Sequence, residues 1–327
     1  MKSSLTNLAR TLAGLVGLAF ALASPLSQAA DKYPARTMEM MVPWGPSGGA
    51  DTLGRLVARW IEADLKATMP VVNTPGAGGA IGLGKLVHAP ADGHNLGVLT
   101  SDTVLLAMVE PQRLKLTDIM LLAVLTRQPS GFFVKADSPL KSWADVVAAA
   151  KADPGSISVA TTGANSPDDL GVAHLDSKGI KMTSVAFAKP GERYAAVLGG
   201  HVNLLFEQAG DVKAYLDAKT MRPLLFFAAQ RLPAPFADVP VSGEFGYDTL
   251  PSQVRAVVVK SDTDPAAVAL LSASLDRFAT SPGYTQYLRD QLAAPDSYVP
   301  TARTAALLAK DMDSLKRMLS ALPPAAK

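Results

Sequence analysis

The chain has 327 residues, of which 48% are hydrophobic and 18% charged, with no cysteine and a formal net charge of +2. Without cysteine there is no disulfide framework and no thiolate metal site, so the fold must be held by its own core. A near-neutral balance does not supply the basic surface that nucleic-acid binding requires, nor one that docks on an anionic membrane.

The N-terminus has the three parts of a secretory signal. Lys2 and Arg10 form a basic start, Leu12 to Ala23 is an apolar run of 12 residues, and Ser27-Gln28-Ala29-Ala30 offers small residues for cleavage after Ala29 or Ala30. The run is shorter than the roughly 20 residues that span a bilayer. No cysteine follows to take a lipid, so residues 1–30 are expected to leave and the mature protein to be free in the periplasm. Lys2 and Arg10 leave with them, which brings the charge close to zero. The remaining 297 residues suggest two domains.

Met38 to Val42 is a short strand candidate, followed by the loop Pro43-Trp44-Gly45-Pro46-Ser47-Gly48-Gly49-Ala50. A helix then starts near Asp51 or Thr52, either of which can cap it, with Leu53, Leu56, Val57, Trp60 and Ile61 on one face. The unit repeats: strand Val71 to Asn73, loop Thr74-Pro75-Gly76-Ala77-Gly78-Gly79, and a helix carrying Ala80, Leu83 and Val87. Asn95 to Thr100 is a third strand, ending in a polar loop, Ser101-Asp102-Thr103. This alternation predicts a parallel sheet covered by helices.

Gly131 to Lys135 opens a second series. Ser142-Trp143-Ala144-Asp145 has the form of a capping box. Strands are predicted at Ile157 to Ala160, Thr183 to Phe187, Val202 to Phe206 and Met221 to Phe227, with loops at Thr161 to Pro167 and Lys189 to Gly191. Arg255 to Val259 is a later strand, and helical patterns at Pro265 to Thr280, Tyr284 to Leu292 and Thr301 to Leu322 finish the chain.

A loop that leaves a strand and enters a helix sits at the carboxyl edge of the sheet, where ligands collect. Gly48 and Gly49 let a ligand approach the backbone, and the free amides of the next helix favour a carboxylate or phosphate; a tight turn is the other reading. Gly76, Gly78 and Gly79 sit in an equivalent loop, so two loops could close on one anion. Neither loop matches the dinucleotide fingerprint or the P-loop, so a small anion is expected, and no cofactor. His88, His94, His174 and His201 lack metal-ligand spacing, and there is no G-x-S-x-G elbow. No catalytic residue and no metal are expected. From the second half, Thr162, Gly163, Asn165, Ser166, Lys189 and the pair Glu207-Gln208 lie in or beside loops that follow strands and could form an opposing wall. Lys189 and Arg193 could equally be solvated charges, and Trp44 could be a core aromatic.

The segments Tyr33-Pro34-Ala35-Arg36, Val42-Pro43-Trp44, Gly48-Gly49-Ala50-Asp51, Asn73 to Gly82 and Ala91-Asp92-Gly93 together resemble the Bug, or TctC-like, solute-binding proteins, the receptors of tripartite tricarboxylate transporters. The likeness extends over nearly all of the mature chain, including Leu198-Gly199-Gly200-His201-Val202. It implies a two-lobed α/β periplasmic binding protein of type II, with the ligand in a cleft between lobes joined by two crossing strands. The expected division is 31–134 and 255–327 for the first lobe and 135–254 for the second. The resemblance also implies that Ser47, Gly48, Gly49, Ala50, Asp51, Ala77, Gly78 and Gly79 hold a ligand carboxylate, with Thr100, Ser101 and Asp102 lining the same lobe. Trp44 stands where the family usually has Phe. The expected function is capture of a small organic carboxylate by a monomer that docks on the membrane subunits of a transporter, without catalysis. A periplasmic partner of a sensory system is the alternative.

Overall fold

The computed structural model describes residues 33–187 and 189–322; the expected signal segment lies outside them. From Arg36 onward the chain forms one unit, built on two sheets flanked by helices. Strand β1 (Glu39–Val42) leads into helix α1 (Gly49–Leu65), β2 (Val71–Asn73) into α2 (Ala80–His88), and β3 (Asn95–Thr100) into α3 (Ser101–Val109). β1 pairs parallel with both β2 and β3, as the alternation predicts. Helix α1 buries Leu53, Val57 and Ile61 on the expected face.

Helix α3 departs from the expected loop. Its first turn is polar, which suits the orphan amides there, and the Val104 to Ala107 run behind it is buried. The next strand, β4 (Ile119–Gln128), had no counterpart in the predicted elements. It is buried along nearly its whole length, so its side chains show no alternation by which to recognise it.

Only Pro129 separates β4 from β5 (Ser130–Lys135), which pairs wholly within the second sheet, ahead of the division expected at 134. The second lobe continues with α4 (Trp143–Ala152), β6 (Ser158–Thr161), α5 (Pro167–Ser177), β7 (Thr183–Ala186), α6 (Pro190–Leu198), β8 (Leu204–Gln208), α7 (Lys213–Asp217) and β9 (Met221–Phe226). Ser142 and Asp145 form the reciprocal capping box at the start of α4. Trp143 just beyond it stacks on Phe132 with ring centroids 5.5 Å apart and planes 4° from parallel.

The chain then returns to the first sheet as β10 (Gln253–Lys260), followed by α8 (Pro265–Ala279), α9 (Pro282–Asp290), β11 (Val299–Pro300) and α10 (Thr301–Ala321). The strand orders are β11-β4-β10-β3-β1-β2 and β7-β6-β8-β5-β9. Both sheets are mixed, because β10 runs antiparallel to β3 and β4 and β5 antiparallel to β8 and β9. The two crossings, at Pro129 and just before Gln253, place Ser130 and Gln253 on the floor of a cleft between the lobes.

Candidate functional site

Four helices begin at the cleft: α1 with Gly49 and Ala50, α3 with Asp102, α5 with Pro167 and Asp168, and α6 with Pro190 and Arg193. The N-caps of α1, α3 and α6 make no side-chain capping bond, so the first amides of these helices keep their donor capacity. Each N-terminus carries roughly half a positive charge, and their convergence favours an anion.

The cleft has two compartments. The inner cavity measures about 60 Å³, room for about four waters at the usual minimum of roughly 15 Å³ each. The outer one measures about 500 Å³. Trp44, Asp102 and Thr162 line both and stand between them.

The inner wall is dense in charge. Arg193 donates through Nη2 to Glu207 Oε2 at 2.6 Å, and Tyr194 Oη donates to the same oxygen at 3.0 Å. Arg255 of β10 pairs with Asp211 of the second lobe, and its Nη1 reaches Gln128 Oε1 at 3.2 Å and Gln291 Oε1 at 3.1 Å. Gln253 Nε2 donates to Asp102 Oδ2 at 2.6 Å. Thr162 Oγ1 lies 2.6 Å from Asp168 Oδ1 and 3.3 Å from Asp102 Oδ1. All four acids and both arginines are buried.

Among the described residues, seven side-chain nitrogen or oxygen atoms are buried without a hydrogen-bond partner. Six of them belong to residues of the inner cavity: Trp44 Nε1, Thr100 Oγ1, Arg193 Nε and Nη1, Asp211 Oδ1 and Gln253 Oε1. An unpaired buried polar group costs about 1–3 kcal/mol. Folds leave few such groups, and their concentration on one cavity marks a place built to receive a polar guest.

The residues singled out from the sequence divide three ways. Trp44, Gly48, Gly49, Ala50, Thr100, Asp102, Thr162 and Glu207 line the inner cavity. Ala77, Gly78, Asn165, Ser166 and Lys189 line the outer one; Lys189 is largely exposed and pairs with Glu192. Ser47, Asp51, Gly79, Ser101 and Gly163 line neither and hold the loops in place. Asp51 accepts from Ser47 N at 3.1 Å, Arg55 Nε at 3.0 Å and Asn73 Nδ2 at 2.9 Å, tying the first glycine loop to α1 and β2. Burial pushes its pKa up, but these bonds and the Arg55 charge outweigh that and hold the carboxyl below its ordinary value. Ser101 Oγ accepts from Val254 N, and Gly79 approaches Thr103 too closely to admit a side chain.

Gln208, expected beside Glu207, lines the inner cavity too; Ser130, Asp211, Gln253 and Arg255 are not among the residues singled out from the sequence, which leaves Arg193 evenly between a site residue and a solvated charge. Arg193 is 5% exposed. For Arg255 a signal existed: one guanidinium inside the apolar run from Val254 to Val259 has to find a partner. Asp211 carries none, since only the fold brings it to that partner.

Burial, with the Asp168 charge next, raises Asp102 to about 6 against the bond from Gln253. Burial likewise raises Asp211 to about 6, against the pull of Arg255. An acid that holds its proton more tightly when folded makes the native state bind more protons than the unfolded chain between the two pKa values. Stability therefore falls as pH rises from about 4 to about 6. Asp102→Asn removes one of these titrations. At about pH 7 the variant should be more stable than the parent by up to about 3 kcal/mol, the gap closing near pH 4. Urea midpoints at both pH values check this; a lower midpoint for the variant at the higher pH would contradict it.

A family model for the tripartite tricarboxylate transporter family receptors matches residues 53–322. The chain is 28% identical over 298 residues to protein BugT of Bordetella pertussis, a match that covers 88% of this chain and 90% of BugT. It is similar to the solved structure of a TctC solute-binding protein from Polaromonas without ligand, at 28% identity and a TM-score of 0.66, over 89% of this chain and 100% of that one. It also shares the fold of MatC from Rhodopseudomonas palustris with bound malate, at 21% identity and a TM-score of 0.76, over 89% and 100% of the two chains.

Proposed function

The chain belongs to the tripartite tricarboxylate transporter receptor family, a family of periplasmic solute-binding receptors, and we propose that it captures a small organic carboxylate in the inner cavity and presents it to the membrane subunits of a transporter. The observation that carries this reading is the set of buried donors without partners, Trp44 Nε1 and Arg193 Nε and Nη1, in a cavity where four helix N-termini converge. A carboxylate entering there meets both charge-assisted donors and free amides.

Closure follows from the same placement. Asp102 and Arg255 come from the first lobe, Thr162 and Asp211 from the second, and Asn165 Nδ2 reaches across to Glu110 Oε1 at 2.7 Å. A ligand held by both walls shifts the population toward the closed form, which is the state a transporter reads. Nothing in the mechanism alters the ligand.

The test is a thermal-shift screen of the mature protein against mono-, di- and tricarboxylates, followed by calorimetry on each hit. A ligand at about a hundred times its Kd adds about 2.7 kcal/mol, which for a chain of this size raises the melting temperature by several degrees. If no carboxylate moves the transition and none gives binding heat, the proposal is wrong.

A further inference from the structure

We propose that the ligand of this cleft carries a cationic amino group beside its carboxylate, seated against Asp102, Thr162 and Asp168, so that the receptor prefers amino acids to the matching hydroxy or simple acids. This rests on the reading of the inner cavity as a carboxylate site and narrows it.

The first observation is a charge balance. Four carboxylates line the inner cavity, Asp102, Asp168, Glu207 and Asp211, against two guanidiniums. Each guanidinium has its own acid, Arg193 with Glu207 and Arg255 with Asp211. Among the described residues no ion pair reaches Asp102 or Asp168. A ligand that brought only further negative charge would be desolvated beside two carboxylates that have no ion pair of their own, and like charges that close oppose binding.

The second observation is a shortage of hydrogens. Thr162 Oγ1 is within hydrogen-bonding distance of both Asp168 and Asp102, but a hydroxyl has one hydrogen. Whichever carboxylate it serves, one oxygen of the other, Asp102 Oδ1 or Asp168 Oδ1, is left to a further donor, while the second oxygens already accept from Gln253 Nε2 and Thr162 N.

The third observation is independent of both. Gln253 Oε1 and Asp211 Oδ1 are buried acceptors without partners on the same cavity. The orientation of the Gln253 amide is set by Nε2, which donates to Asp102, so its oxygen is left to face a donor. A carboxylate has no hydrogen to give; an ammonium has three. Apart from Thr100 Oγ1, which can donate or accept, the orphan atoms of the cavity sort into donors that match a carboxylate, Trp44 Nε1 and Arg193 Nε and Nη1, and acceptors that match an amine, Asp211 Oδ1 and Gln253 Oε1. A zwitterion satisfies both sets. It also adds no net charge to the cleft.

The experiment is calorimetry on the mature protein with matched acids that differ at one substituent: aspartate against malate and succinate, and alanine against lactate and propionate. In at least one series the amino member should bind about tenfold or more tighter than its partners. Asp102→Asn, which should not cost stability, should lower that ratio several-fold, because one of the two anions facing the amine is gone. If the hydroxy or simple acids bind as tightly as the amino acids, the inference fails while the carboxylate reading stands. If the parent shows the preference and Asp102→Asn preserves it, the seat assigned to the amine is wrong. If no member of either series binds and the wider panel is also silent, the carboxylate reading fails and the inference with it.

Discussion

Gly49→Ala is expected to abolish ligand binding and to remove roughly 3–5 kcal/mol of stability. The substitution looks harmless from the sequence. Gly49 is the first residue of α1, its backbone lies outside the left-handed region, and alanine suits a helix better than glycine by about 1 kcal/mol. The obstacle is what a Cβ would meet, since it would overlap the guanidinium of Arg255. That group cannot swing aside cheaply. Arg255 is 3% exposed and is held by Gln128, Gln291, Gln208 and Asp211. Moving it separates a buried ion pair and strands Asp211, the kind of loss that costs several kcal/mol. The added methyl would also stand over the amides at the start of α1 that a carboxylate needs. Urea melts and calorimetry with the tightest acid of the panel measure the two effects, and Gly84→Ala is the control. Gly84 lies in α2 with open space where its Cβ would be, so that change should be neutral or slightly stabilising. A Gly49→Ala protein that melts with the parent and still binds would mean that Arg255 moves freely and that the ligand does not need the amides at the start of α1.

The contrast between these two glycines shows what the sequence could convey. The glycine loops were legible because their meaning is local: a strand ends, a helix begins, and residues without side chains lie between them. The side of the cleft they build is therefore visible in Gly48 and Gly49, while Ala50, Thr100 and Asp102 enter only through the resemblance to the family. The deeper wall depends on contacts between distant segments. Arg255 meets Gln128, Gln208, Asp211 and Gln291, residues from both sheets and the segment after α9, and no spacing along the chain encodes that meeting. Strand β4 was missed for a related reason, since burial on both faces erases the alternation that reveals a strand. Glu207 stands out as a site residue because it follows a predicted strand. Its partner Arg193 was left undecided because a basic residue in the first turn of a helix is ordinarily solvated, and only burial beside Glu207 changes that.

Arg193 is also where binding and folding can be separated. Its Nη2 is committed to Glu207, while Nε and Nη1 are buried without partners on the inner cavity. Arg193→Lys keeps a positive charge for Glu207 but presents it as a point, not a fork, and loses the two free donors. Hydrogen bonds to charged groups contribute about 1.5–3 kcal/mol each, so losing both should lower ligand affinity about 150-fold or more, with a smaller loss of stability, under about 2 kcal/mol. Arg193→Met removes the partner of Glu207 altogether, and stability should then fall by about 3–5 kcal/mol. Adding Glu207→Leu to that variant removes the stranded charge and should recover most of the stability, because buried ion pairs often contribute little net free energy against an apolar pair. It should recover none of the binding. Parallel urea melts and calorimetry on the three proteins give a double-mutant comparison in which stability is restored and affinity is not. Parent-like affinity in Arg193→Lys would show that the unpaired nitrogens do not hold the ligand, and the carboxylate would then have to be placed on the amides of α1 alone.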